Sequence, residues 1–299
     1  MFSDREETMT VPLSHFFDFA EVPEKFYPGI INEFKELGST NFVLTDRMLK
    51  NFLDEPWACT KFKRLSHIHN ISFGDAHLPF GQPYDLCCSE KGRRTGMISD
   101  QKRAMAYASD MGCRTCTIHM GAYESVVYHT PNSELRPRVV DALGTLLEEA
   151  EKLDIVLAIE NSFERSNTPA EVLYYMSCFD TPHLGVCYDA GHACLMSDFP
   201  GKVREKYAPA MDAAWGDVVE CYPDALGDLL PHIVTCHLHD NDGYSDAHKM
   251  PGDGRINWQE LIAKIRTAPR LMTMQSEVSM FGNGYSIGNL VRTFNKIMQ

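Results

Sequence analysis

The sequence has no long hydrophobic run and few basic residues. No stretch of eighteen apolar residues occurs in its 299 residues, so no segment is expected to form a membrane-spanning helix. Residues 1–7 are polar and acidic and have none of the apolar core of a signal peptide. Lysine and arginine total 28 against 41 acidic residues. The net charge of −13 therefore disfavours a general affinity for nucleic acids or membranes.

Markers of domain boundaries are also missing. There is no low-complexity tract, no long Pro/Ser linker and no run of like charge, so a single domain over 1–299 is expected. Ten cysteines occur without a secretory signal, which predicts reduced thiols and a cytoplasmic location. Cys113 and Cys116 have the gap of zinc and redox motifs, but no second pair matches them, so a core role is favoured.

What the sequence does contain is a recurring unit, an apolar β-type run that ends on a polar residue and precedes a helix-like segment. Seven such runs occur, and an eighth over 11–17 is weaker. The seven runs cover 40–45, 71–77, 114–119, 155–160, 183–189, 233–239 and 271–277.

Helix signals fill the intervals between these runs. Residues 138–153 repeat apolar side chains at helical spacing, and Thr168, Pro169 and Glu171 have the order of a helix start. Alternating strands and helices favour parallel pairing, and eight units in this length predict a (β/α)8 TIM barrel of the α/β class. A doubly wound open sheet is the alternative, but no Gly-x-Gly-x-x-Gly follows the first strand.

Six predicted strands finish on side chains that can bind a metal. In a parallel barrel the carboxyl ends of the strands share one face, where the active site lies. One histidine at a strand end is more often a hydrogen-bonded core residue, but six strand ends are not explained in that way. A carboxylate buried after an apolar run is costly unless it is paired or bound to a metal. The residues are His77, His119, Glu160, Asp189, His237 with His239, and Glu277.

Further candidate ligands lie in the loops. His192 follows Asp189 by three residues, and Asp246 and His248 stand two apart in the dense segment 237–253. Carboxylates and imidazoles with open positions suit Mn²⁺, Mg²⁺, Co²⁺ or Zn²⁺. No cysteine ends a strand, which argues against a thiolate zinc site. The sequence therefore predicts a divalent metal site and assigns no residue to another cofactor.

These residues lie in motifs that resemble the xylose isomerase-like TIM-barrel superfamily, with its sugar phosphate isomerase/epimerase branch as the nearest match. The resemblance is strongest over 71–299. It is carried by Ala158-Ile159-Glu160-Asn161, Tyr188-Asp189-Ala190-Gly191-His192, His237-Leu238-His239-Asp240-Asn241-Asp242-Gly243, and Asp246-Ala247-His248 before Pro251-Gly252-Asp253-Gly254.

The resemblance implies a metal-dependent isomerase or epimerase of carbohydrate metabolism that acts on a sugar, sugar acid or sugar phosphate. Glu160, Asp189, His237 and Glu277 would hold one metal, and His192 would contact substrate oxygens. Glu160 and Glu277 would also form the acid/base pair that moves a proton through an enediolate. The expected partner is a small carbohydrate, and a homodimer stays open because such barrels often pair.

The superfamily also contains endonuclease IV, a trinuclear zinc phosphodiesterase that acts at abasic DNA sites. A multinuclear phosphoester hydrolase is therefore the alternative function. The negative charge and the absence of basic residues in 78–83 argue against a nucleic acid partner. The epimerases place an arginine in the region where this chain has acidic and imidazole side chains, so a free ketose substrate is not implied. The residues left open for additional metal or for substrate are His77, His119, His192, Asp246 and His248.

Overall fold

Eight parallel strands close into one barrel, in which each strand pairs with the next and β8 pairs with β1. The computed structural model describes residues 11–216 and 219–299. The predicted polar segment 1–7 lies outside these residues. The strands are β1 Leu13–His15, β2 Asn41–Leu44, β3 Ser72–His77, β4 Thr115–Ile118, β5 Val156–Glu160, β6 Leu184–Asp189, β7 Ile233–Leu238 and β8 Met274–Ser276.

The predicted (β/α)8 barrel is confirmed, including the weak first strand, which is reduced to three residues. Four of the predicted strands, 40–45, 114–119, 233–239 and 271–277, end one residue earlier than expected. His119, His239 and Glu277 each follow the last residue of their strand and therefore begin the loops above the barrel.

Helices and short 3₁₀ turns connect the strands. The α-helices of the described residues are α1 Tyr27–Glu36, α2 Asp46–Asp54, α3 Pro56–His69, α4 Lys91–Met111, α5 Tyr123–Val127, α6 Asn132–Leu153, α7 Pro169–Ser177, α8 Ala190–Met196, α9 Pro209–Trp215, α10 Ala225–Leu229, α11 Trp258–Ile265, α12 Met280–Asn283 and α13 Ile287–Ile297. The 3₁₀ turns are Phe19–Glu21, Glu24–Phe26, Gln82–Tyr84, Arg165–Asn167, Arg204–Lys206 and Leu230–His232. In the described part of the chain, no helix combines the length and the apolar composition that crossing a membrane requires.

Local sequence explains where several helices begin and end. The hydroxyl of Thr168 accepts a hydrogen bond from the backbone N–H of Glu171, which caps α7 as predicted. Helix α6 begins at Asn132, earlier than the predicted 138, and Pro137 lies inside it. Its buried side chains repeat at helical spacing and pack it against the barrel. It ends where Asp154 adopts a left-handed conformation.

Candidate metal centre and active-site cavity

Four buried side chains converge at the carboxyl ends of β5 to β8. Glu160, Asp189, His237 and Glu277 offer ligand atoms that all lie within 4.8 Å of one another. His237 Nδ1 is 3.3 Å from Glu160 Oε1, 3.6 Å from Asp189 Oδ2 and 3.1 Å from Glu277 Oε2. The parallel strands bring them together because each residue occupies the last position of its strand or the positions next to it.

This group has the properties of a divalent cation site. His237 Nδ1 and Glu277 Oε2 are buried, and in the described part of the protein neither atom has a partner in hydrogen-bond geometry, although they lie 3.1 Å apart. Three carboxylates this close together repel one another unless a positive charge lies between them. Carboxylate oxygens with one imidazole nitrogen match the ligand preferences of Mn²⁺, Mg²⁺, Co²⁺ and Zn²⁺. The residues present therefore fit a divalent metal.

Two histidines extend the group on the side of Glu160. His119 Nε2 lies 2.9 Å and His77 Nε2 lies 3.5 Å from Glu160 Oε2. His77, Glu160 and His237 form a second set of ligand atoms with mutual distances within 4.8 Å. Glu160 is thus shared between two neighbouring sets.

A third set lies on the side of Asp189. His192, His239, Asp246 and His248 bring their ligand atoms within 4.8 Å of one another. Asp246 Oδ2 is 3.4 Å from His192 Nε2 and 3.3 Å from His248 Nε2. The structure therefore brings together all nine predicted site residues.

His239 has a larger place in the site than its position in the sequence indicated. Its ring stacks on His248 at a centroid distance of 3.8 Å, and its Nε2 lies 3.1 Å from Asp189 Oδ2. The imidazole fits only because residue 191 is glycine, since a Cβ there would lie 1.9 Å from His239 Cε1. The available sequence signal was the spacing of His237 and His239, which places both side chains on one face of the strand.

The carboxylates and imidazoles shift one another's proton affinity. Burial raises the pKa of Glu160, but His237 and His119 hold it well below its usual range. Burial lowers the pKa of His192, but Asp189 and Asp246 raise it well above the ordinary value. Protons and a divalent cation therefore compete for the same buried negative charge, and metal affinity should rise with pH.

A polar layer lies one step deeper in the barrel. Asp75 is fully buried and accepts hydrogen bonds from Thr115 Oγ1 at 2.6 Å, Thr235 Oγ1 at 3.0 Å and Gln275 Nε2 at 3.3 Å. Asp75, Thr235 and Gln275 each stand two positions before a site residue, and Thr115 stands two positions before Thr117. Side chains two positions apart lie on the same face of a strand, so this layer lies directly below the site. In the upper layer Thr117 Oγ1 lies 3.3 Å from His237 Nε2 and orients the imidazole.

One buried carboxylate holds the loop that carries Asp246 and His248. Asp240 accepts hydrogen bonds from the backbone N–H groups of Gly252 and Ile256 and from Trp258 Nε1 at 2.8 Å. Its backbone pairs with Lys249 in an antiparallel bridge. The loop consequently folds back over β7 and aims both ligand-type side chains at the barrel axis.

A cavity of about 830 Å³ opens above these residues. Its aromatic walls include Phe17, Phe80, Tyr123, Phe163 and Phe281. The ring of Phe80 stacks on His119 at 4.8 Å, which joins the wall directly to the candidate metal centre.

Charged groups along the cavity are mostly acidic. Asp18, Glu21, Asp46 and Glu164 line it, and Arg47 is the one lysine or arginine of its lining among the described residues. The Arg47 guanidinium is already paired with Glu21 and lies 3.6 Å from Asp18. The described part of the lining therefore has no unpaired lysine or arginine for an anionic ligand.

Comparison with known proteins finds similarity to proteins named as sugar epimerases. Fructoselysine 3-epimerase of Escherichia coli O157:H7 is 29% identical over 188 residues, which is 62% of this chain and 60% of that protein. The chain thus spans less than two thirds of the length of the curated relatives it matches.

Solved structures share the whole fold at low sequence identity. A D-tagatose 3-epimerase-like protein superposes with a TM-score of 0.69 at 17% identity, covering 96% of both chains. A xylose isomerase-like TIM barrel protein from Mycobacterium smegmatis in complex with magnesium has a TM-score of 0.67 at 13% identity, covering 97% of this chain and 96% of that one. A family model described as xylose isomerase-like TIM barrel matches residues 31–271. Because that match extends over most of the sequence, the chain belongs to the xylose isomerase-like TIM barrel family.

Proposed function

We propose that the protein is a divalent-metal-dependent epimerase or isomerase that moves a proton on the carbon next to a sugar carbonyl. The observation that carries the proposal is the approach of two buried glutamates, Glu160 and Glu277, to within 3.3 Å and 3.1 Å of the same imidazole atom of His237. Both glutamates line the large cavity. The epimerase names of similar proteins support this chemistry.

Glu160, Asp189, His237 and Glu277 would hold the metal, which when bound supplies a Lewis acid that polarises the sugar carbonyl and stabilises negative charge on it. The two glutamates form the acid/base pair. One carboxylate takes the proton from the carbon beside the carbonyl and releases it to water, and the other, which first takes up a proton from water, returns that proton to the carbon.

The imidazoles around the two glutamates control their charge. Burial raises the pKa of Glu277, but the imidazoles of His237 and His248 lower it below its usual range. Since the pKa of Glu160 is also held low, the ionised form, which accepts a proton, is favoured for both side chains. His119 and His192 contact Glu160 and fix its orientation.

The charge of the cavity favours a neutral or cationic sugar over a sugar phosphate or sugar acid. A phosphate or carboxylate needs a cationic partner when it leaves water, and Arg47 is already paired. The relative from Escherichia coli is by name an epimerase of fructoselysine, which agrees with a substrate that is not a sugar phosphate.

Solvent exchange tests the proposal directly. The Mn²⁺-loaded protein is incubated with ketoses in D₂O, and NMR detects deuterium on the carbon beside the carbonyl. Glu160→Gln and Glu277→Gln should each lower the exchange rate by about 10²- to 10⁴-fold, because each removes one member of the acid/base pair. Metal content is measured for every variant.

Glu148→Gln is the matched control, because Glu148 is exposed on α6 and distant from the strand ends. It should leave the exchange rate unchanged. Full exchange in either cavity variant would contradict the acid/base assignment.

A multinuclear phosphoester hydrolase is the second candidate. It is favoured by the second and third sets of ligand atoms on either side of the first. It requires more than one tightly bound metal per chain and dependence on His77 and His119.

A further inference from the structure

The cavity above the candidate metal centre is larger than one sugar needs. At about 830 Å³ it lies in the upper part of the range of pockets that enclose drug-sized ligands. A monosaccharide is much smaller than such a ligand. A sugar held with its reacting carbon at Glu160 and Glu277 would therefore fill only the floor of the cavity.

The outer part of the same cavity is apolar. Phe281 is 59% exposed, Val127 is 50% exposed and Phe80 is 40% exposed, and all three line the cavity. Single exposed apolar residues are ordinary, but several at the mouth of one pocket mark a surface that a ligand covers. The hydroxyl groups of a free sugar are poor partners for these side chains.

The apolar wall of the cavity begins directly beside the candidate metal centre at the cavity floor. Phe80 follows His77 by three residues and stacks on His119. Phe281, in α12 after Glu277, contacts Phe17 at a ring distance of 5.8 Å. A ligand that reaches from the glutamates to Phe281 thus stays in contact with aromatic side chains along its length.

We infer that the substrate is a sugar conjugate, a keto sugar that carries an apolar or aromatic group packed against Phe80, Val127 and Phe281. This inference rests on the proposed function. The carbonyl must be free for the proton to move, so the apolar group is attached at a carbon other than the carbonyl carbon and its reacting neighbour. The acidic lining disfavours an anionic group and accepts a neutral or amine linkage.

The test compares D-fructose, N-methylfructosamine and N-benzylfructosamine as probes with the Mn²⁺-loaded protein in D₂O. The two derivatives share the same amine and differ in the aromatic ring. We expect N-benzylfructosamine to exchange with a kcat/KM about tenfold or more above that of N-methylfructosamine, mainly through a lower KM. The reason is that the benzyl ring leaves water when it packs against the apolar rim formed by Phe80, Val127 and Phe281.

Phe281→Ala should reduce this preference by about three- to tenfold, since it removes the most exposed aromatic side chain of the rim. Phe26→Ala is the matched control, because Phe26 is 52% exposed and does not line the cavity. It should leave the preference unchanged.

The other outcomes separate the two proposals. Exchange on D-fructose without any gain for the benzyl derivative would overturn the conjugate inference alone. No exchange on any probe would overturn the proposed function and the inference with it. If Phe281→Ala instead converts a dimer to a monomer and lowers kcat/KM equally for both derivatives, a second copy covers the rim and the inference fails.

Discussion

His15 ends the first strand with its imidazole enclosed in the protein. Its Nδ1 lies 2.9 Å from Ser276 Oγ and its Nε2 lies 3.0 Å from Ser39 Oγ, and the rings of Phe34 and Phe294 pack against it. Burial lowers the pKa of His15 from 6.5 to about 4. The folded protein therefore keeps this imidazole neutral at pH values where the unfolded chain binds a proton.

This difference makes stability depend on pH in a defined direction. As the pH falls from about 6.5 to about 4, the unfolded state gains a proton at His15 that the folded state does not, so the free energy of unfolding falls by about 3 kcal/mol. Urea unfolding of the wild type and His15→Gln at pH 7 and pH 4.5 measures the effect. At pH 7 the variant should have a lower free energy of unfolding than the wild type, and this difference should be smaller at pH 4.5. An equal deficit at both values would contradict the prediction.

Gly191 sets the position of an imidazole in the candidate metal centre. A Cβ at this position would lie 1.9 Å from His239 Cε1 and 2.4 Å from His239 Nδ1, so Gly191→Ala must displace the ring. Asp189 then loses the imidazole 3.1 Å from its Oδ2. We expect metal affinity to fall by about 10- to 100-fold, which is typical when a group that orients a ligand is removed. Isothermal titration of the metal-free protein with Mn²⁺ measures this change.

Gly29→Ala provides the control for that substitution. Gly29 lies in α1, and a Cβ there would meet no atom within 4 Å. It should leave Mn²⁺ affinity unchanged and stabilise the fold by about 0.5 to 1 kcal/mol. Unchanged metal affinity in Gly191→Ala would show that His239 does not support Asp189.

At the scale of elements, the strands were the most predictable part of the molecule. An apolar run that ends on a polar residue is a local pattern, and parallel closure then determines which side chains meet. This reasoning placed Glu160, Asp189 and His237 together from sequence alone. It predicted that β1 exists but not where β1 begins and ends, because a strand of three residues carries too little periodicity to set its bounds.

The loops were less predictable because their shape depends on distant contacts. The loop with Asp246 and His248 folds over the barrel because Asp240 accepts hydrogen bonds from backbone N–H groups and from the indole of Trp258 at the other end of the loop. No local pattern encodes such an arrangement. The apolar rim is a similar case, since Phe80 and Phe281 are 201 positions apart in the sequence and line one cavity only after the barrel closes.

At the scale of the whole molecule, stability against unfolding depends on how much buried negative charge the barrel must neutralise. Glu160, Asp189 and Glu277 surround His237 in a protein of net charge −13. A bound divalent cation offsets this charge in the folded state only. Its binding should therefore stabilise the whole barrel against unfolding.

We therefore expect removal of metal by a chelator to lower the Tm, and Mn²⁺ at about 100 times its Kd to restore about 2.7 kcal/mol of stability. Metal analysis after gel filtration should give one tightly bound ion per chain. His248→Ala should leave that content unchanged and raise KM, since in the proposed epimerase His248 faces the substrate. Two or three ions per chain in the wild type, with one lost in His248→Ala, would instead support the multinuclear hydrolase, because the third set of ligand atoms would then hold an ion of its own.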